Sequence, residues 1–543
     1  MKTAALLSLL ATAFATVHRS PVEATDTYQR QPGVDVQHYV FRLALSDETD
    51  QITGKATIQF RVVAAGVREL ALDLTSVNAG KGMTVSEVTS PTGAVTFTHR
   101  SDRLRIAFPT APAVGELLTV NVSYQGVPGA GLRIGTNKYG ERTFFSLNWP
   151  DKARQWLPMI DHPYDKASNE FIVTAPTKYR VVANGLLQEE VDLGDGRRET
   201  HWKNSVPIAS WLDAIGVAQF ATSHFGSVRG VPLQDWVYHQ DRENGAATFE
   251  TPTRQSIEFY SEHIGPYPYE KLANVQAAGL GGGTEHASVI FYGEASVTPR
   301  PATNLVAHEI AHQWFGNAVT ERDWDDVWLS EGFATYFTLL FTEHYSGRDA
   351  FVAGLVRSRA TVFTTEQRLP GKAVIHNNLA DMSQVLNQLV YQKGGWVLHM
   401  LRGQIGTDNF WSGIRTYYTM YRDKNASTQD LRRIMEEQSG QDLGWFFDQW
   451  LKRPGTPVVE GRWTYDADAK AVEMTLTQTQ GGEPYRLPLE IGITVPGAPA
   501  MKVEKVELRQ AQQKFSIPVA SAPAAVVLDP NTWVLMNASL NRQ

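Results

Sequence analysis

The sequence predicts a multidomain chain: an all-β N-terminal domain, an α+β domain in the middle and a small C-terminal β-sandwich. Three observations predict it. Apolar and polar residues alternate from about Tyr28 to Phe225, helical periodicity takes over from Thr253 to Leu451, and alternation returns after a Pro- and Gly-rich break at residues 453–457. With 543 residues, the chain has room for about three or four domains.

Each part follows from its own pattern. Ile58, Phe60 and Val62 alternate with Thr57, Gln59 and Arg61; Leu104, Ile106 and Phe108 form a second such run, and Val120, Val122 and Tyr124 a third. Period two with turn residues between the runs means half-buried antiparallel strands, giving a β domain at 28–225. The middle domain is expected at 226–455. Within it, residues 302–315 and 331–345 read as helices, the second ended by Ser346-Gly347. The glycine run at 279–283 cannot be helix interior and leads into a short strand at 287–292. Val472, Met474 and Leu476, then residues 487–495, restore alternation in a domain at 456–543, about the size of one small sandwich.

Bulk composition excludes several function classes. Apolar content of 42% and charged content of 20% are ordinary for a soluble globular protein. A net charge of −7 without a basic run argues against a nucleic-acid partner. The absence of cysteine excludes disulfides, thiolate catalysis and cysteine-bound metals. Met1-Lys2, an apolar stretch at 4–15 too short to span a bilayer, and the small-x-small triplet Ala13-Phe14-Ala15 read as a signal peptide at 1–15. The alternative is a buried N-terminal helix. No later segment is apolar for long enough to cross a membrane, so the expectation is an exported protein, periplasmic or secreted, without stable membrane insertion.

His308-Glu309-Ile310-Ala311-His312 carries the chemistry. Residues four apart share one helix face, so His308 and His312 can address a single ion. Two imidazoles with Glu331 make the three-ligand set of a catalytic zinc, one ion per chain, with a fourth position open. Glu309 lies between the histidines, where a carboxylate can take a proton from water. A chance match on a surface helix is the alternative. Against it, Glu331 heads an apolar helix, where an inward polar side chain needs a ligand to explain it. Tyr391 is either a donor to an oxyanion or a core aromatic. Glu285, after the glycine run, is either a holder of a cation such as a free amino terminus or an ordinary solvated carboxylate. Glycines beside a site let backbone approach a ligand closely.

The stretch Val306 to Asn317, with Glu331 at its spacing, resembles the zinc aminopeptidases of the membrane-alanyl aminopeptidase and leukotriene-hydrolase type, a branch of the gluzincins. Gly282-Gly283-Thr284-Glu285-His286 resembles that family's G-x-M-E-N motif, and Tyr391-Gln392-Lys393-Gly394 its tyrosine motif. Arg154 to Ala167 resembles a segment late in its N-terminal domain, and Phe446 to Leu451 the end of its catalytic domain. The resemblance implies a thermolysin-like catalytic domain and an enzyme that cleaves the N-terminal bond of peptides. It implies that His308, His312 and Glu331 bind zinc, that Glu309 is the general base and that Tyr391 stabilises the oxyanion. Glu285 would bind the free α-amino group, with Gly282 and Gly283 along the substrate backbone. Thr284, His286 and Trp149 depart from the family pattern. The chain closes on the small β domain rather than a large helical one, which predicts a more open cleft. The rivals are a thermolysin-like endopeptidase and a non-catalytic peptide-binding protein; the oligomeric state leaves no mark in the sequence.

Overall fold

The computed structural model describes residues 26–376, 379 and 381–543. The expected signal peptide lies outside the described residues.

Alternation in the first part becomes a seven-stranded sheet. Its order is Leu186–Asp192, Arg197–Ala209, Lys166–Pro176, Val34–Ala44, Ile52–Val62, Leu117–Val127, Gly82–Thr89. Ala56, Ile58 and Phe60 are fully buried and lie opposite Val122, Val120 and Leu118 in antiparallel register. Val34–Ala44 pairs in parallel with Lys166–Pro176, while its other neighbour, Ile52–Val62, is antiparallel. Sheets of four and three strands complete the domain around one core.

A five-stranded mixed sheet follows, ordered Phe220–Val228, Val231–Tyr238, Leu272–Ala277, Val289–Gly293, Gly283–Thr284. Its two faces belong to different cores. Leu233, Val237, Leu272, Ile290 and Tyr292 join the core of the helices, whereas Trp236, Tyr238, Ala273, Val275, Val289 and Phe291 join the core of the β domain. Strands buried on both faces lose polar–apolar alternation. On Leu272–Ala277 even Asn274 and Gln276 are fully buried; the Asn274 amide donates to Asp235 and Thr253, and that of Gln276 to Asp241. Leu272–Ala277 and the second half of Val231–Tyr238 are buried on both faces and so lack polar–apolar alternation. Phe220–Val228 straddles residue 226, where the middle domain was expected to begin.

Five helices frame the site: α1 (Arg242–His263), α2 (Thr303–His312), α3 (Trp328–Ser346), α4 (Arg348–Arg368) and α5 (Gly394–Ile405). α2 is shorter than the expected 302–315 because the chain turns away through Gly316, at φ 106°. α3 begins at Trp328, ahead of Glu331, and ends at Gly347 as expected. Its first half is buried on every side, the pattern of a helix enclosed by core. C-terminal to α5 and the helices after it, two sheets form the expected sandwich. One contains Gln512–Pro518, Ala471–Gln478, Val458–Asp466 and Asn537–Arg542, the other Lys502–Leu508, Leu487–Thr494 and Ala525–Leu528. Their apolar residues belong to the same core as the helices.

α3 and α5 meet backbone to backbone. A Cβ on Gly332 would lie 2.9–3.0 Å from the Gly394 backbone. Gly332→Ala should therefore cost about 1–3 kcal/mol, as overpacking does when backbone must move. A thermal melt checks this, and a melting temperature equal to the parent's would show that the helices can part freely.

Candidate active site

α2 puts His308 and His312 on one face, with their Nε2 atoms 3.2 Å apart. Glu331, on the first turn of α3, brings Oε2 to 3.5 Å from His308 Nε2 and 3.3 Å from His312 Nε2. Ligands at about 2.0–2.1 Å from a tetrahedral zinc lie about 3.3–3.4 Å from one another. The three donor atoms already stand at that spacing. Glu331 Oε2 is buried with no hydrogen-bond partner in the protein, a costly arrangement unless a cation sits beside it. Burial pushes His312 down, but the charges of Glu285, Glu331 and Glu309 carry it up to about 10. Burial pushes Glu331 up, but His312 and His308 bring it down to about 2. The centre favours a positive charge, and the donor set and spacing fit zinc. His312 is oriented from behind by Ser330, whose Oγ lies 3.1 Å from Nδ1, with the Phe315 carbonyl at 3.3 Å.

Glu309 lies beside this triad. Its carboxylate, that of Glu285 and the His312 ring have ligand atoms within 4.8 Å of one another. Burial, then the charge of Glu285, holds Glu309 well above the usual carboxylate range. Gly283 lies flat against it, and a Cβ there would run into the Glu309 carboxyl. Gly282, at φ 103°, turns the chain into the short strand Gly283–Thr284, which ends the mixed sheet.

Glu285 is 5% exposed and, by burial first, raised from the usual carboxylate range. Its backbone carbonyl accepts from Gln313 Nε2 at 2.9 Å and Asn317 Nδ2 at 2.5 Å. Its Oε1 accepts from Trp149 Nε1 at 3.1 Å, and Trp149 in turn packs on Trp324 and Trp211 with ring centroids 4.7 and 5.5 Å away. Trp149 thus bears directly on the site. His286 does not: it is fully buried, both ring nitrogens lack partners, its edge meets Phe291, and burial drives it down to about 3.

Tyr391 lies on the π-helical turn Leu389–Lys393, half-buried, its ring stacked 6.3 Å from that of His308. Burial, then the charges of Glu331 and Glu285, keeps its hydroxyl protonated and able to donate. The turn is anchored by Lys393 Nζ, which donates to Glu366 Oε1 at 3.0 Å and the Gly455 carbonyl at 2.7 Å. The structure therefore brings together all eight residues singled out from the sequence. Sequence reasoning gave no role to Ser330, Gln313 or Asn317. Their signal is faint: three polar residues in otherwise apolar surroundings, each fully buried.

Two family models match the chain: "Peptidase family M1 domain" over residues 249–450 and "Peptidase M1 N-terminal domain" over residues 35–212. Aminopeptidase A of Gloydius brevicauda is 29% identical over 327 residues, 57% of this chain and 34% of that protein. Glutamyl aminopeptidase of Homo sapiens is 29% identical over 329 residues, with the same shares covered. The chain spans about a third of the length of these curated relatives. The M1 zinc metallopeptidase from Deinococcus radiodurans is 25% identical with a TM-score of 0.67, covering 78% of this chain and 95% of that one. A form of that enzyme with a Tyr-Ser-Ala substrate bound has a TM-score of 0.68 at 25% identity, covering 79% and 96%.

Because Ser330 fixes the ring of His312, Ser330→Ala should weaken metal binding by about 10–100-fold. Competition against a chelator of known affinity measures this, and unchanged affinity would mean the Phe315 carbonyl alone orients the ring.

Proposed function

The chain belongs to peptidase family M1, and on that premise we propose that it is a zinc-dependent aminopeptidase, removing the N-terminal residue of peptides. The observation that carries this reading is the second focus of negative charge. Glu285 is buried beside Glu309 and the metal triad, clamped through its carbonyl, with its carboxylate turned to the same centre. A free α-ammonium, carried by the same residue as the scissile carbonyl, is the substrate group that such a carboxylate suits.

His308, His312 and Glu331 would hold one zinc ion, which when bound acidifies water and polarises the scissile carbonyl. Glu309 accepts the proton of the attacking water and returns it to the departing amine. The Tyr391 hydroxyl donates to the oxygen of the carbonyl as charge builds on it. Gly282 and Gly283 let the substrate backbone run close to the cleft floor. The endopeptidase and non-catalytic alternatives differ in what they require of Glu285 and Glu309. An endopeptidase gains nothing from Glu285, and a binding protein nothing from Glu309.

We also propose, from residues 1–15, that the protein is exported. Among the described residues no helix is long and apolar enough to cross a membrane. Amino-terminal sequencing of native material should start near Thr16; recovery of Met1 or Lys2 would refute export by a cleaved signal.

The hydrolytic reading predicts that Glu309→Gln keeps its zinc and loses nearly all turnover, since the amide cannot take the proton. It also predicts a free-amine substrate favoured over its N-acetylated twin by at least about 10–100-fold in kcat/KM, the worth of one charge-assisted hydrogen bond. Equal cleavage of the twins would install the endopeptidase alternative. Zinc binding without any turnover would install the peptide-binding one.

A further inference from the structure

We propose that the N-terminal β domain sets the position of Glu285 through two polar clasps, Lys166 and Asn184, which act as positioning residues for recognition of the substrate's ammonium. The proposal rests on the aminopeptidase reading.

Lys166 opens strand Lys166–Pro176 and belongs to the 154–167 segment, to which the functional reading gave no task. Its ammonium reaches across to the turn that follows α2. It donates to the carbonyls of Asn317 and Ala318, both at 2.9 Å, and to Thr320 Oγ1 at 2.8 Å. Burial lowers Lys166 to about 7; in its protonated form three donors meet three acceptors, a match that an amide side chain, with two donors, cannot reproduce. Asn317 then uses its own side chain to hold the Glu285 carbonyl. Asn425, on the strand paired with this turn, adds a bond to the Pro163 carbonyl at 2.7 Å. The β domain is thus two hydrogen bonds from the backbone of Glu285.

Asn184 works from the other end. It is 1% exposed, and its Nδ2 donates to the carbonyls of Ala287 at 2.7 Å and Leu212 at 2.9 Å. Its Oδ1 accepts from the Ala214 amide at 2.7 Å, so both donors and the acceptor oxygen are engaged. The neighbouring Gly185 amide donates to Ser288 Oγ at 2.9 Å. The segment from Glu285 to Ser288 is therefore held by Gln313, the residue after α2, and by the β domain through these two clasps. A carboxylate that must meet an ammonium at a fixed distance from the scissile bond gains from that rigidity, because a misplacement of about 1 Å can cost about 100-fold in rate.

The test compares Lys166→Met, Lys166→Arg and Asn184→Asp with the parent in the full-length, zinc-loaded protein. Zinc content, melting temperature, and kcat and KM on a free-amine fluorogenic peptide and its N-acetylated twin are measured for each. The expected result is a free-to-acetylated preference lowered about tenfold or more in Lys166→Met and Asn184→Asp. The loss should fall on KM for the free-amine substrate, with zinc still at one per chain, and Lys166→Arg should recover part of it. Should Lys166→Met not fold, Asn184→Asp and Lys166→Arg supply the same ratio. A preference within about twofold of the parent in every folded variant, whatever the melting temperatures, would overturn the proposal and leave the clasps as interdomain glue. A parent enzyme with no preference at all would instead overturn the aminopeptidase reading.

Discussion

Buried negative charge is the constraint on which the site depends. Glu285, Glu309 and Glu331 are each at most 5% exposed and converge on a pair of imidazoles. Carboxylates in such a place stay ionised only when cations answer them. Glu331 has one oxygen with no protein partner, and His312 is drawn toward the charged form. A divalent ion at the triad and an ammonium at Glu285 would answer the charge in two steps, first the cofactor and then the substrate. Glu309 is left between them, where its affinity for a proton depends on both.

Close backbone approach is the second requirement, and glycine supplies it where side chains would collide. Gly283 makes room for the carboxyl of Glu309, and Gly316 makes room for the hydroxyl of Ser330 that steadies His312. At Gly332 and Gly394 the helices bearing Glu331 and following Tyr391 meet backbone to backbone, so the zinc ligand and the oxyanion donor share one rigid support.

What the sequence reveals is what depends on near neighbours. His308 and His312 are four residues apart on one helix, and Ile58, Phe60 and Val62 alternate on one strand, so both patterns are written in local spacing. What it conceals depends on distant partners. Trp149 reaches Glu285 across 136 residues and Lys166 reaches Asn317 across 151. No periodicity announces such pairs. His286, next to Glu285 in sequence, faces the core, while Trp149, 136 residues away, faces the site; adjacency in sequence is a poor guide to it. The doubly buried strand Leu272–Ala277 and the second half of Val231–Tyr238 escape for a related reason. Each face has a core of its own, so neither face needs to be polar.

That shared sheet has a consequence for how the molecule comes apart. The sequence reads as three domains, but the apolar interior of the described residues divides into two clusters, and the mixed sheet belongs to both. Removing either cluster strips one face of the sheet and exposes Trp236 and Phe291 or Leu233 and Tyr292 to water. The three parts are therefore not beads that melt one at a time. Heat or denaturant should take them through a single cooperative transition, and limited proteolysis should find no interdomain linker whose cutting releases a folded piece.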